Sequence, residues 1–191
     1  MLAFIDFEAS SLAERSYPIE VAWVFADGTH ETHLIRPAPR WTDWDSEAEA
    51  IHGLSREQLL TDGEPHEQVA RRMVEALAGH DLCASAPSWD GKWLSALLLA
   101  AEFPRHTLRL RDTDEVLREA AEAILAPVVP AAQLDPMVAQ LLALAAIRDP
   151  AAPPAHRALP DARQEWQRWL DIRDAAGRIA AGGTGAAAGI T

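Results

Sequence analysis

One cysteine, one lysine and one tyrosine occur in the 191 residues. A lone thiol, Cys83, excludes an internal disulfide framework and any zinc site built mainly from cysteine. It suits a reducing compartment, read here as cytoplasmic. With Lys92 the only lysine, 16 arginines carry the remaining positive charge against 29 acidic residues, for a formal net charge of −12. Such a chain has no broad basic face with which to coat a duplex, so any nucleic-acid contact must be local. Apolar runs near Leu94–Ala101 and Leu141–Ile147 fall short of the roughly 18 residues that a membrane span needs, so no membrane association is expected. The first residues, Met-Leu-Ala-Phe-Ile-Asp-Phe-Glu, lack the basic start of a secretory signal. The glycines at 183, 185 and 189 follow no strand and have no lysine beside them, which argues against a phosphate-binding loop.

What is present is a chain 49% hydrophobic, enough for a folded core, and of a length that suits one domain. Leu2–Glu8 and Pro18–Phe25 read as buried strands, and Asp27-Gly28 turns the second into an alternating third strand, Thr29–Ile35. A loop rich in proline and tryptophan, Arg36–Trp44, precedes short helical pieces. Pro65 opens a helix ended by Gly79, Asp81–Ala86 is another strand, and Asp90–Phe103 is helical. Thr107–Arg111 is an edge-strand candidate. Helices are expected over Thr113–Leu125, Pro136–Ile147 and Ala158–Ala176, with Pro150–Pro154 as a rigid loop. Residues 1–176 thus form the domain, and 177–191, mostly Gly and Ala without periodicity, read as a flexible tail. The order implies an α/β or α+β fold, a sheet flanked by helices.

Asp6 and Glu8 lie two apart in a strand, so both carboxylates point to one face. Two anions side by side in an apolar setting require a compensating cation, and carboxylate oxygens suit a hard one such as Mg²⁺ or Mn²⁺. Asp-x-Glu also occurs at Asp45 and Asp62, in polar, turn-rich sequence; only the first copy is flanked by Phe4, Ile5 and Phe7. Taken alone, that pair also fits a solvated strand end. Asp90 follows a strand and also fits a helix N-cap. His156 and Asp161 stand five apart before the last helix, a spacing that says little by itself. Their joint order along the chain says more.

That order resembles the DEDDh group of 3′ to 5′ exonucleases. Phe-Ile-Asp-Phe-Glu-Ala-Ser resembles the first motif of the group, Ala84–Leu94 the second, and His156–Asp161 the third. Ile-Glu-Val-Ala-Trp-Val at 19–24 is similar to its second strand, and Ile51-His52-Gly53-Leu54-Ser55 to a segment near the substrate pocket. Two departures stand out: Ser85-Ala86-Pro87 replaces the usual His-Asn-Ala, and Ala9-Ser10-Ser11 the usual Thr-Thr-Gly.

The resemblance implies a ribonuclease H-like α/β fold, with a central mixed sheet of about five strands flanked by helices. It implies two ions, Mg²⁺ or Mn²⁺, held by Asp6, Glu8, Asp90 and Asp161, with His156 taking a proton from the attacking water. The expected activity is hydrolysis of single-stranded or short nucleic acid from the 3′ end, releasing nucleoside 5′-monophosphates. His52, Ser10 and Trp89 are candidate substrate contacts, Trp41 and Trp44 candidate stacking platforms, and Arg157 and Arg163 candidate phosphate contacts. For Trp89 and Trp93 the competing role is core packing. A homodimer is compatible with the sequence. The alternatives are a non-catalytic nucleic-acid- or protein-binding module on the same fold, and a small-nucleotide phosphodiesterase.

Overall fold

The computed structural model describes residues 1–146 and 156–186. Ile147, the Pro150–Pro154 loop and residues 187–191 lie outside the described residues. Within the described residues six strands form one mixed sheet, β1 (Leu2–Ala9), β2 (Pro18–Phe25), β3 (His30–Arg36), β4 (Glu64–Pro65), β5 (Asp81–Ala84) and β6 (Leu110–Asp112), in the order β4-β3-β2-β1-β5-β6. The first three are an antiparallel meander, while β5 and β6 run parallel to β1. Gly28, at φ +85°, makes the β2–β3 turn, and a Cβ there would come within 3.2 Å of the Trp166 ring.

Among the described residues seven helices flank the sheet: α1 (Ser46–His52), α2 (Arg56–Asp62), α3 (His66–Leu77), α4 (Pro87–Ala100), α5 (Thr113–Leu125), α6 (Ala131–Ala145) and α7 (Ala158–Ala186). Strand alternation sorts the core into two layers. Ala3, Ile5, Phe7 and Ala9 pack with Val69, Met73, Leu94 and Leu97 of α3 and α4. On the opposite face, Phe4 meets Val116 of α5 and Trp169 of α7, and Ala22 and Val24 meet Ala158 and Ala162. Asp6 and Glu8 share the face of Phe4, which carries α7.

Several boundaries differ from the sequence expectation. The edge strand is Leu110–Asp112 rather than Thr107–Arg111, because it pairs only with Leu82–Ala84 of β5. The two-residue β4 makes the sheet six-stranded. Helix α4 begins at Pro87, a residue suited to the first helical position, and α6 begins at Ala131 and carries Pro136 inside it. Helix α7 continues past Ala176 to Ala186, so residues 177–186 are helical, and Ile179 carries the start of this extension onto the cluster shared with α5 and α6.

Candidate active site

Strand β1 brings Asp6 and Glu8 out on the α7 side, both partly exposed between buried neighbours. Helix α7 enters over β2 and places Asp161 in its first turn, so that oxygens of Asp6, Glu8 and Asp161 lie within 4.8 Å of one another. Three carboxylates at this separation repel strongly unless protonated or bridged by a cation. Burial first, then Asp90, Asp161 and Glu8, raise the Asp6 carboxyl well above the ordinary aspartate range. Burial, Asp161 and Glu20 push Glu8 up to about 8, against a smaller opposing pull from Arg157. Hard oxygen donors, partial exposure and mutual repulsion together fit a Mg²⁺- or Mn²⁺-sized ion.

Asp90 stands outside that triple but acts on Asp6 electrostatically. It is not a helix cap: Ala86 occupies that position, and Asp90 is the fourth residue of α4, 2% exposed. Burial raises its carboxyl to about 7, while hydrogen bonds to the backbone of Ala86, Phe7 and Asp90 itself hold it down. Backbone groups of β1 and of the α4 start thus hold the Asp90 carboxyl in place.

His156 lies exposed at the entrance to α7, with φ +37°, a conformation costly for a non-glycine residue. Arg157, the next residue, is not free for phosphate: its Nε and Nη2 donate to Glu20 at 2.9 and 2.6 Å. Arg163 likewise faces the Nε2 of His30, at 2.8 Å.

The substrate-contact candidates separate. His52 is buried; its Nδ1 accepts from the Leu54 amide at 3.1 Å, which puts the proton of the neutral ring on Nε2, an atom with no partner among the described residues. Burial lowers its pKa, and Glu20 and Arg157 are among the charges that act on it, so it borders the same site. Trp89 is 38% exposed, against 7% for Trp93, and sits under the Lys92 ammonium at 4.9 Å. Trp93 packs in the core, whereas Trp89 offers a face to solvent. Ser10 is fully buried, donating to Asp43 at 3.2 Å and accepting from the Tyr17 amide, so its hydroxyl is committed within the chain. Trp41 stacks on Tyr17 and Trp44 donates to Glu49, both against the Tyr17–Leu59 cluster.

Two carboxylates of this region were not among the sequence candidates. Glu165, 5% exposed and one turn beyond Asp161 on α7, raises both Asp6 and Asp90 and accepts from Arg168 at 2.7 Å. With Ser85, Asp114 and Arg168 it lines a cavity of about 320 Å³. The i,i+4 spacing from Asp161 was a signal that could have found it. Glu20, 3% exposed, is the ladder partner of Glu8 on β2.

No family model and no curated protein matches the chain. Solved structures do. It superposes on Escherichia coli exonuclease I, zinc-bound and in complex with single-stranded DNA, with TM-score 0.62 and 16% identity over 91% of this chain and 40% of that one. The same enzyme with a dT13 oligonucleotide gives TM-score 0.62 at 15% identity, over 91% and 41%. A moderately thermophilic exonuclease I from Methylocaldum szegediense gives TM-score 0.63 at 19% identity, over 90% and 40%. The chain thus spans about two fifths of the length of these neighbours. Its fold is that of exonuclease I, ribonuclease H-like, as the DEDDh resemblance implies. Among the described residues no helix is long and apolar enough to cross a membrane.

Proposed function

We propose that the chain is a metal-dependent 3′ to 5′ exonuclease that removes nucleoside 5′-monophosphates one at a time from single-stranded or short nucleic acid, in the cytoplasm. The observation that carries this reading is the convergence of Asp6, Glu8 and Asp161 within 4.8 Å, on a fold shared with exonuclease I. The four acids Asp6, Glu8, Asp90 and Asp161 would hold two Mg²⁺ or Mn²⁺ ions. Such a pair of ions, when bound, activates the attacking water and offsets charge on the leaving oxygen.

The side chains of this protein supply the rest. Asp6, raised by burial and by the other three acids, would serve both ions. His156, exposed at the α7 entrance, takes the proton from the attacking water through its neutral ring. The His52 Nε2–H, buried and without a partner among the described residues, donates to the sugar or base of the terminal nucleotide, and the open face of Trp89 stacks on a base. With a net charge of −12, a chain lacking a basic duplex-binding face suits a single-strand end better than a helix.

The test is digestion of matched 5′-labelled RNA and DNA single strands with Mg²⁺ or Mn²⁺. A ladder shortening stepwise from the 3′ end supports the reading. Tight metal-free binding without turnover would instead establish a non-catalytic module.

A further inference from the structure

Helix α7 draws a cap from outside its own sequence. Arg157 precedes its first residue, and an arginine side chain cannot accept a hydrogen bond from the first-turn amides. The acceptor comes instead from β2, 138 residues away in sequence: Glu20 Oε2 takes the Ala158 N–H at 2.9 Å. The same carboxylate receives the Arg157 fork, Nε at 2.9 Å on Oε2 and Nη2 at 2.6 Å on Oε1. Both oxygens of this 3% exposed group are therefore used, which a buried carboxylate requires.

The helix does not need this bond to dock. Ala158 and Ala162 already pack fully buried on Ala22 and Val24 of β2. What the Glu20 contacts add is control of the chain just before α7, where His156 adopts φ +37°. A backbone in that region persists only where its surroundings over-determine it. Glu20 is also the ladder partner of Glu8, so the anchor point of the His156 segment lies one strand from the carboxylate cluster itself.

We propose that Glu20 is a positioning residue: through Arg157 and the Ala158 amide it clamps the strained segment that presents His156 to the Asp6–Glu8–Asp161 cluster. The catalytic consequence rests on the exonuclease reading, whereas the clamp itself does not.

Two measurements on the full chain separate these. The first compares turnover of a 5′-labelled oligonucleotide at saturating Mn²⁺ for wild type, Glu20→Gln, His156→Ala and the double variant. Glu20→Gln is expected to lose about 10- to 100-fold in kcat at saturating Mn²⁺, the scale of an ångström-size misplacement. Added to His156→Ala, it should cost less than about 2-fold, because the group it positions is gone. Losses that multiply would overturn the proposal. The second is amide hydrogen exchange at Arg157 and Ala158, expected to quicken at least about 10-fold in Glu20→Gln. Unchanged exchange overturns the clamp whether or not the chain is a nuclease; an inert wild type overturns the exonuclease reading and leaves exchange to decide the clamp. Should Glu20→Gln fail to fold, Arg157→Gln opens the same pair from the helix side, and its loss must likewise vanish in the His156→Ala background.

Discussion

Glu8 and Glu20 face each other across the β1–β2 ladder, yet their charges are handled in opposite ways. Glu20 is neutralised from within, by the Arg157 guanidinium and a helix amide. Glu8 is pushed up to about 8 by burial and by the neighbouring Asp161 and Glu20. One carboxylate belongs to the architecture, and the other gives up its proton readily only where a cation offsets the charge.

Metal affinity should therefore depend steeply on pH. Glu8 near 8 and Asp90 near 7 must both lose protons to act as ligands. Affinity for Mn²⁺ should fall as pH drops from 8 to 6, more steeply below 7 than above it, with the raised Asp6 carboxyl adding to the slope. Calorimetry in buffers of different ionisation enthalpy should record proton release on binding at pH 7. A flat affinity between pH 8 and 6 would contradict these assignments.

The metal-free protein should gain stability as the cluster is neutralised. A carboxyl whose folded-state pKa lies above its unfolded value holds its proton more tightly when folded. Stability is then greatest below the unfolded pKa and declines as pH rises through the folded one. For Glu8 that window runs from 4.5 to about 8. Replacing Asp6 by Asn removes one mutually repelling charge without changing shape, so the melting temperature at pH 8 without metal should hold or rise. Hydrolysis should be abolished. Appreciable nuclease activity in purified Asp6→Asn, or in Asp161→Asn, would remove both residues from the catalytic site.

Much of this site was legible in the sequence, for reasons that also mark where legibility stops. Asp6 and Glu8 stood out because a strand's period of two put both on one face of an otherwise apolar run. Asp90 was a candidate because of its place after β5, although its burial in the first turn of α4 has no local signature. Glu20 could not be read: within Pro-Ile-Glu-Val-Ala-Trp-Val a lone acid looks like the polar face of a strand, and its partner is 137 residues away. Ser10 was misjudged because the sequence does not reveal that Asp43 and Tyr17 fold back on it. The extension of α7 to Ala186 was missed because a glycine-rich stretch without periodicity reads as a tail, although local propensity alone does not decide where a helix ends.

Substrate polarity has its own test. A 5′-labelled linear single strand should shorten stepwise, while a closed circular single strand should survive prolonged incubation with Mn²⁺. Cleavage of the circle would mean that the site does not depend on a free end.

Trp89 should contribute to binding rather than to chemistry. Its solvent-facing ring lies outside the carboxylate cluster, and a base–aromatic stack is worth about 1 to 3 kcal/mol, so Trp89→Ala should weaken single-strand affinity about 5- to 150-fold. At saturating substrate, kcat should stay within about 3-fold of wild type, since the ring touches no reacting atom. Steady-state kinetics on a short oligonucleotide separates the two; an unchanged KM would place the substrate strand elsewhere.

The final expectation separates His156 from the acids. A general base contributes about 10² to 10⁴ in rate and holds no ion, so His156→Ala should lose that much in kcat while Mn²⁺ affinity stays near wild type. Asp6→Asn should damage both. Imidazole added to His156→Ala should restore part of the rate, because the exposed side chain it replaces leaves room at the α7 entrance. Equal turnover by His156→Ala and wild type, measured under single-turnover conditions with chemistry limiting, would show that another group accepts the water's proton. Glu165 would then be the first residue to replace, because it lies one turn beyond Asp161 and already acts on Asp6 and Asp90.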